Sequence, residues 1–287
     1  MKSALYKLLS QRHPIRFLVS RLMNQRRPIR FLVSRILCYS GLCRFIRITR
    51  PGYMLHFHPA SLPMSLWFDS NDRHSDSHIL SAILRPGDIY VDVGANVGHL
   101  AIEAALIVGN SGRVAAFEAH PRTVNFLRQN IQLNQLNNIR VAQVAVGASC
   151  GWVGFTDNDS DDQNMVAHDG QIVVPLITLD SLLADESPTL LKIDVEGFEL
   201  FVLLGATALL ERTQFIYFEA WDDHFKKNGY TFADVFDLLS SKNFEIVSFI
   251  GTSITKVSRD TAMPNCVNLL AYKNKSALEE RTGWRVE

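Results

Sequence analysis

Acidic residues are absent from positions 1–68 of this 287-residue chain, although its formal net charge is zero. The first 50 residues carry twelve of the 29 Lys and Arg residues, which leaves 29 − 12 = 17 basic against 29 acidic residues in the remainder. A basic segment therefore precedes an acidic body (17 − 29 = −12). We interpret residues 1–52 as a basic helical arm and residues 53–287 as a globular domain.

Long apolar runs and regularly spaced cysteines are also lacking. No run of 18 apolar residues occurs, which argues against a transmembrane helix. Arg16 and Arg21 interrupt any apolar stretch that a signal peptide would need. The four cysteines follow neither a metal-binding nor a dense disulfide pattern, as in a reduced protein. We expect a cytoplasmic protein, peripheral at the inner membrane surface if its arm binds lipid.

The arm contains an internal duplication, in which Pro14–Arg21 recurs as Pro28–Arg35 with a spacing of 14 residues. Apolar residues interleaved with arginine are typical of an interfacial amphipathic helix. Two interpretations stay open: residues 1–50 contact an anionic membrane, or they form helices that pack on the acidic body. No RNA- or DNA-binding module accompanies the charge, so nucleic acid is not an expected partner.

The stretch from Asp88 to Glu118 has the order strand, glycine turn, helix, strand, acid. This order is typical of the first half of a nucleotide-binding α/β unit. Gly94 and Gly98 let the backbone approach a ligand closely, because they have no Cβ. Glu118 follows Gly94 by 24 residues, where an acid can accept hydrogen bonds from both hydroxyls of a ribose.

The composition of the turn discriminates between two ligand classes. A dinucleotide site needs the pattern G-x-G-x-x-G, but Asn96 stands where a glycine would be required, and the acid Asp92 precedes the turn. An acid there suits S-adenosylmethionine, which carries an ammonium and a sulfonium and no phosphate. A nicotinamide-dependent oxidoreductase stays as the alternative. The predicted cofactor-binding residues are Asp92, Gly94, Asn96, Gly98, Glu118 and Ala145.

A second motif is present at Leu190–Glu199, with the sequence LLKIDVEGFE. Together with VDVGANVGH it resembles the FkbM family of S-adenosylmethionine-dependent methyltransferases, over roughly residues 72–272. The resemblance implies a class I methyltransferase fold and, usually, methyl transfer to a hydroxyl of a small molecule, often a sugar or a polyketide-like metabolite. A non-catalytic, membrane-associated module on the same scaffold also stays open, since fold alone does not establish activity.

Carboxylates follow the apolar strand in this second motif. In open α/β sheets ligands bind beyond the carboxyl ends of the strands, so Asp194 and Glu196 are expected at the rim of the site. A rim carboxylate can act as a base toward a hydroxyl acceptor. The same pair could instead bind Mg²⁺ or cap the following helix. Glu199 is interpreted as a helix-start charge, and His224, after another strand end, is the reserve candidate for the base.

One further segment resembles a calcium-binding loop but lacks two of the residues that such a loop requires. Asp157–Asp162 begins like a calcium loop, but the sixth position is Asp162 instead of glycine, and the twelfth is His168 instead of glutamate. We interpret it as a solvated acidic loop over the site. The segments 53–75 and 151–175, which carry no recognised motif, are expected to shape the acceptor pocket.

The alternation of apolar and helical patterns predicts a Rossmann-like class I methyltransferase: a mostly parallel seven-stranded sheet with helices on both faces and an antiparallel last strand. Residues 53–68 are expected to form short strands or loops, residues 151–156 and 171–176 an inserted hairpin, and residues 199–211 one helix. The predicted core strands are 89–93, 113–118, 139–145, 189–195, 214–219, 244–250 and 266–272.

Overall fold

The computed structural model describes residues 27–69, 72–158, 164–167, 169–251 and 253–285. The first copy of the duplicated block, Pro14–Arg21, lies outside the described residues, as does most of the calcium-like segment. The helices span Pro28–Ser40, Ser61–Phe68, His74–Ile83, His99–Val108, Pro121–Leu133, Leu179–Leu182, Glu199–Leu204, Thr207–Arg212, Asp222–Lys227, Phe232–Ser241 and Lys275–Thr282, with a 3₁₀ turn at Leu42–Phe45.

Thirteen strands are present in the described residues, in three sheets. They are β1 (Arg47–Arg50), β2 (Tyr53–His56), β3 (Ile89–Val93), β4 (Arg113–Phe117), β5 (Ile139–Ala142), β6 (Ala145–Val146), β7 (Gly151–Phe155), β8 (Ile172–Ile177), β9 (Leu190–Ile193), β10 (Phe215–Ala220), β11 (Glu245–Ile250), β12 (Ser253–Lys256) and β13 (Val267–Tyr272).

The main sheet confirms the predicted class I methyltransferase architecture. Its strand order is β12-β11-β13-β10-β9-β3-β4-β5. Strands β5, β4, β3, β9 and β10 are parallel, whereas β13 runs antiparallel to both β10 and β11. The predicted antiparallel last strand is therefore confirmed. The sheet has eight strands and not the predicted seven, because β12 adds to the edge by pairing with β11.

Side-chain alternation along the central strands builds the core on both faces of this sheet. Val91 and Val93 face one cluster of buried apolar residues, while Tyr90 faces the other. Strand β9 is buried along its whole length. Such strands, covered by helices on both faces, are typical of parallel sheets. Their carboxyl ends lie together at one edge, and that edge carries the candidate site.

The described part of the basic arm packs on the domain through one helix face. Helix Pro28–Ser40 contacts helix Ser61–Phe68, where the rings of Phe31 and Phe68 lie 5.5 Å apart and edge to face. Strand β1 pairs with β2, so this hairpin joins residues on both sides of the boundary predicted at residue 52. No helix in the described ranges is long and apolar enough to cross a membrane.

Three predicted segments differ from the structure, each for a local reason. Residues 61–68 form a helix and not short strands or loops, since Pro63 falls in the first turn, where its missing N–H costs no hydrogen bond. The predicted helix 199–211 is two helices, because Gly205 meets the Gly147 carbonyl so closely that a Cβ would lie 2.0 Å from its oxygen. The predicted strand 139–145 divides into β5 and β6, which belong to different sheets.

The inserted hairpin is confirmed, with β7 antiparallel to β8. Sequence patterns did not predict helix Asp222–Lys227, helix Lys275–Thr282 or strand β12. These elements have four to eight residues, which is too short for a clear periodic pattern in the sequence, and short elements depend on tertiary contacts for their stability.

Candidate functional site

A cavity of about 330 Å³ lies at the carboxyl ends of β3, β4, β9 and β10. All of the predicted cofactor-binding and catalytic residues line it except Gly98 and His224. The lining also contains Ser61, Ser65, Asp72, Arg73 and Asp76, which come from the segment between β2 and β3. The place of the cavity agrees with the rule that open α/β sheets bind ligands beyond the carboxyl ends of their strands.

Gly94 makes the tight turn after β3. Its φ is 79°, and a Cβ at this position would lie 1.9 Å from the carbonyl oxygen of Asp194. The N–H groups of Gly94 and Ala95 both donate to the carbonyl oxygen of Phe117, at 2.9 and 3.0 Å. Only glycine allows the turn and the end of β9 to approach this closely. The turn therefore fixes Asp194 beside the β3 loop.

Gly98 has a packing role in this structure and does not line the cavity. Its φ is 86°, and a Cβ here would lie 2.2 Å from Cδ1 of Leu127. The residue precedes helix His99–Val108 and lets it lie against helix Pro121–Leu133. Gly98 thus orients the helix that begins at the cavity.

Glu118 joins the β3 turn to the loop after β4. One carboxylate oxygen accepts the N–H of Asn96 at 2.9 Å, and the other accepts the N–H of His120 at 2.8 Å. Asn96 has the left-handed φ of 49°, and its side-chain oxygen accepts the N–H of Val97 at 2.7 Å. An acid can accept two backbone N–H groups in this way because both its oxygens are acceptors. The carboxylate is therefore held at the cavity wall in a fixed orientation.

Lys192 is a buried cation shared by two acids. Strands β3 and β9 are parallel with Asp92 opposite Lys192 in register, so these side chains meet on one face. The Lys192 ammonium lies 3.1 Å from Oδ1 of Asp92 and 3.5 Å from Oδ2 of Asp194, and it donates to the Gly94 carbonyl oxygen at 3.0 Å. Burial lowers the pKa of Lys192, but the two carboxylates outweigh burial and raise that pKa overall. Burial raises the pKa of Asp92. The charge of Asp92 is thus compensated within the chain.

A second acid network, absent from the sequence predictions, is centred on Asp76, which also lines the cavity. Oδ1 of Asp76 accepts the Tyr217 hydroxyl at 2.5 Å and the side-chain amide of Asn268 at 3.2 Å. The Arg73 guanidinium lies 3.7 Å from Oδ2 of Asp76. Burial raises the pKa of Asp76. No pattern in the sequence signals this group, because its partners lie up to 192 positions apart.

His99 begins the helix after the β3 turn and lines the cavity as a buried side chain. The Tyr53 hydroxyl lies 2.5 Å from its Nδ1. Burial lowers the pKa of His99 to about 3, so the imidazole is neutral at ordinary pH. A neutral histidine tied to a buried tyrosine is suited to contact a ligand by hydrogen bonding, and it cannot serve as a cation.

Glu199 organises the loop that carries Asp194 and Glu196. It is 1% exposed and is the first residue of helix Glu199–Leu204, which agrees with its interpretation as a helix-start charge. Its Oε1 accepts the N–H groups of Val195 and Gly197 at 3.2 Å, and its Oε2 accepts the Tyr230 hydroxyl at 3.2 Å. Burial raises the pKa of Glu199 to about 7.

Glu196, Glu219 and His224 meet at the edge of the cavity, although they come from three different elements. Glu196 has the left-handed φ of 55°, Glu219 is in β10, and His224 is in helix Asp222–Lys227. The His224 Nδ1 lies 3.6 Å from Oε2 of Glu196 and 3.9 Å from Oε2 of Glu219. His224 does not line the cavity itself, but it contacts two acids that do.

The acidic loop is described only in part. His120 Nε2 lies 3.0 Å from Oδ1 of Asp157, and Asn164 lines the cavity. Residues 159–163 and 168, which include most of the calcium-like pattern, lie outside the described residues.

Comparison with known proteins gives a family match and several relatives, among them AglP and NoeI. The profile of the Methyltransferase FkbM domain matches residues 92–246. The hexuronic acid methyltransferase AglP of Haloferax volcanii is 29% identical over 178 residues, 60% of this chain and 67% of that protein. The 2-O-methyltransferase NoeI of Sinorhizobium fredii is 27% identical over 193 residues, 59% of this chain and 77% of that protein. A crystal structure of a methyltransferase FkbM from Methylobacillus flagellatus has 16% identity and a TM-score of 0.43, covering 84% of this chain and 59% of that one.

Proposed function

The chain belongs to the FkbM family of S-adenosylmethionine-dependent methyltransferases, and from this premise we propose that it transfers the methyl group to a hydroxyl oxygen of a sugar or a related small molecule. The observation that carries the proposal is the meeting of Glu118, the Gly94 turn and Asp194 around one cavity. The relative AglP, named as a hexuronic acid methyltransferase, supports a sugar as the acceptor, and NoeI, named as a 2-O-methyltransferase, supports transfer to oxygen.

The methyl donor is proposed to lie between the β3 turn and the loops after β4 and β5. Glu118 would accept the ribose hydroxyls, while Asn96 and the Gly94 turn contact the rest of the nucleoside and the amino-acid part. Ala145 also lines the cavity and leaves room for a flat ring, because its side chain is a single methyl group. Asp92 contributes to donor binding indirectly: it pairs with Lys192, and Lys192 donates a hydrogen bond to the Gly94 carbonyl oxygen in the turn.

Asp194 is the proposed base. Its carboxylate is 33% exposed, in contrast to the buried Asp92, so an acceptor in the cavity can reach it. In the reaction the acceptor oxygen forms a bond to the methyl carbon as the carbon–sulfur bond breaks. The hydroxyl proton passes to Asp194, and S-adenosylhomocysteine leaves with the sulfur electron pair. Alignment of oxygen, carbon and sulfur supplies most of the acceleration, and the base contributes about 10²–10⁴-fold.

The described arm has a second, exposed face that suits an anionic membrane. On helix Pro28–Ser40 and the turn after it, seven large apolar side chains are 38–78% exposed. They are Ile29, Leu32, Val33, Ile36, Tyr39, Leu42 and Phe45. Their helical spacing places the first five on one side, opposite the buried Ser34.

The charge around this apolar face favours lipid as its partner. Arg27, Arg30, Arg44 and Arg47 are exposed nearby, and no acid occurs before Asp69. Basic residues near an anionic surface contribute about 1 kcal/mol each, and apolar side chains add to this by entering the interface. We propose peripheral contact with an anionic membrane through this face.

A paired measurement tests the proposed activity. Calorimetry compares binding of S-adenosylmethionine with binding of NAD, and labelled methyl donor is then incubated with a panel of hydroxylated sugars, including hexuronic acids. We expect S-adenosylmethionine to bind more tightly than NAD and at least one sugar to acquire label on oxygen. Tighter binding of NAD would favour the oxidoreductase alternative and refute the proposal.

A further inference from the structure

His224 presents a buried nitrogen that has no hydrogen-bond partner among the described residues. Its Nδ1 is inaccessible to water, and the residue is 6% exposed. The ring is held from the other side by Trp221, with the ring centroids 4.1 Å apart. The nitrogen faces two carboxylate oxygens, on Glu196 and Glu219, at 3.6 and 3.9 Å. These distances are too long for hydrogen bonds.

The three ligand atoms have the spacing of a metal site. They all lie within 4.8 Å of one another. Ligands at about 2.1 Å from a tetrahedral ion are about 3.4 Å apart, and the two distances from the His224 nitrogen, 3.6 and 3.9 Å, are close to that spacing. We infer that Glu196, Glu219 and His224 bind one divalent transition-metal ion. One imidazole with two carboxylates suits Mn²⁺ or Zn²⁺ better than Mg²⁺, which prefers oxygen ligands alone.

The backbone conformation of residues 196 and 197 brings Glu196 and His224 close together. Glu196 is held at φ 55°, a conformation that non-glycine residues seldom adopt, and Gly197 beside it has φ 97°. A Cβ on Gly197 would lie 2.9 Å from Cβ of His224, so the two segments are in close contact. Strain of this kind clusters at functional sites. Here it turns the Glu196 side chain toward the histidine.

The ion would serve the acceptor side of the cavity, and this step rests on the proposed function. Glu196 and Glu219 both line the cavity, as does Asp194. A bound ion would supply a further ligand position for an acceptor hydroxyl and would lower the pKa of that hydroxyl. Asp194 would then receive the hydroxyl proton as the oxygen bonds to the methyl carbon and the carbon–sulfur bond breaks. A sugar with two neighbouring hydroxyls could bind the ion through both.

Direct titration tests the site without any assay of activity. Full-length protein is freed of metal by chelation, and Mn²⁺, Zn²⁺ and Mg²⁺ are titrated separately by calorimetry, in the absence of methyl donor. We expect one equivalent of Mn²⁺ or Zn²⁺ to bind, with Mg²⁺ at least 10-fold weaker. Glu219→Gln and His224→Gln should each weaken binding by at least 10-fold. Glu211→Gln, which removes an exposed glutamate paired with Lys242, is the matched control and should bind as the wild type does.

Two outcomes would overturn the inference: no stoichiometric binding of either ion, or equal binding by the wild type and by Glu219→Gln. A cooperative urea-unfolding curve, measured on each variant, shows whether the variant is folded. If His224→Gln fails that check, Glu219→Gln decides alone. Protein that binds the methyl donor and no metal refutes the metal site and leaves the proposed function intact. Protein that binds metal and no methyl donor refutes the proposed function instead.

Discussion

Replacement of Glu118 by alanine should weaken S-adenosylmethionine binding by about 10–100-fold. The carboxylate is proposed to accept the ribose hydroxyls, and a hydrogen bond to a charged group contributes about 1.5–3 kcal/mol. Loss of one such bond corresponds to about 10–100-fold in dissociation constant. The structure adds a second effect, because the same carboxylate accepts the N–H groups of Asn96 and His120. The variant should therefore also lose about 1–3 kcal/mol of unfolding free energy.

The assay is calorimetry with S-adenosylmethionine and S-adenosylhomocysteine, at a temperature where urea unfolding shows that the variant is folded. Glu118→Gln keeps one acceptor oxygen and should be intermediate in both affinity and stability. Glu186→Gln, which removes an acid paired with Arg113, is the control for loss of charge. Unchanged affinity in a folded Glu118→Ala protein would refute the assignment, whatever happens to its stability.

Three other perturbations test the catalytic base, the buried acid and the apolar face. Asp194→Asn should lower turnover by about 10²–10⁴-fold with donor affinity nearly intact; normal turnover in a labelled-methyl assay would make Asp194 structural. Because burial raises the pKa of Glu199 from 4.5 to about 7 in the folded chain, its contribution to stability is present below about pH 4.5 and is lost as pH rises through 7. Glu199→Gln should therefore raise the free energy of unfolding by about 1–3 kcal/mol at pH 8.5 and little at pH 5; equal urea curves at pH 8.5 would contradict this. The double change Ile29→Ser and Ile36→Ser should reduce salt-sensitive binding to anionic vesicles at least about 10-fold, since two aliphatic side chains leave the interface. Val173→Ser, exposed on the inserted hairpin, should have no effect, and wild-type protein that stays unbound at low salt in a flotation assay would show that the arm does not bind lipid.

The central sheet could be predicted because its strands are buried and bounded by strong turns. The run ending in Val93, for example, is followed at once by the Gly94 turn, and both the strand and the turn are present in the structure. Edge elements gave weaker patterns. Strand β12 pairs with only one neighbour, so its residues need no strong alternation of apolar and polar side chains.

The part of the site that comes from a single sequence motif could be predicted. Asp194 and Glu196 lie together at the cavity because they lie together in the sequence. The role of Lys192 depends on the register of β3 against β9, and a sequence does not fix the register between separate strands. His224 could be named as a candidate from the sequence only because it is a histidine that follows a predicted strand. Its contact with Glu196 depends on the left-handed backbone conformation of Glu196. A sequence does not predict that conformation for a residue other than glycine.

The cavity wall combines two stretches of chain, one inside and one outside the family match. Residues 92–246, which match the family, supply Asn96, Glu118 and Asp194, whereas Ser61, Ser65 and Arg73 come from a stretch that precedes the match. Substitutions in the segment before the match can therefore alter one wall without touching the strand ends that are proposed to hold the methyl donor. Exchange of residues 57–76 between relatives would then be a route to new acceptor specificity, with the donor site inherited unchanged.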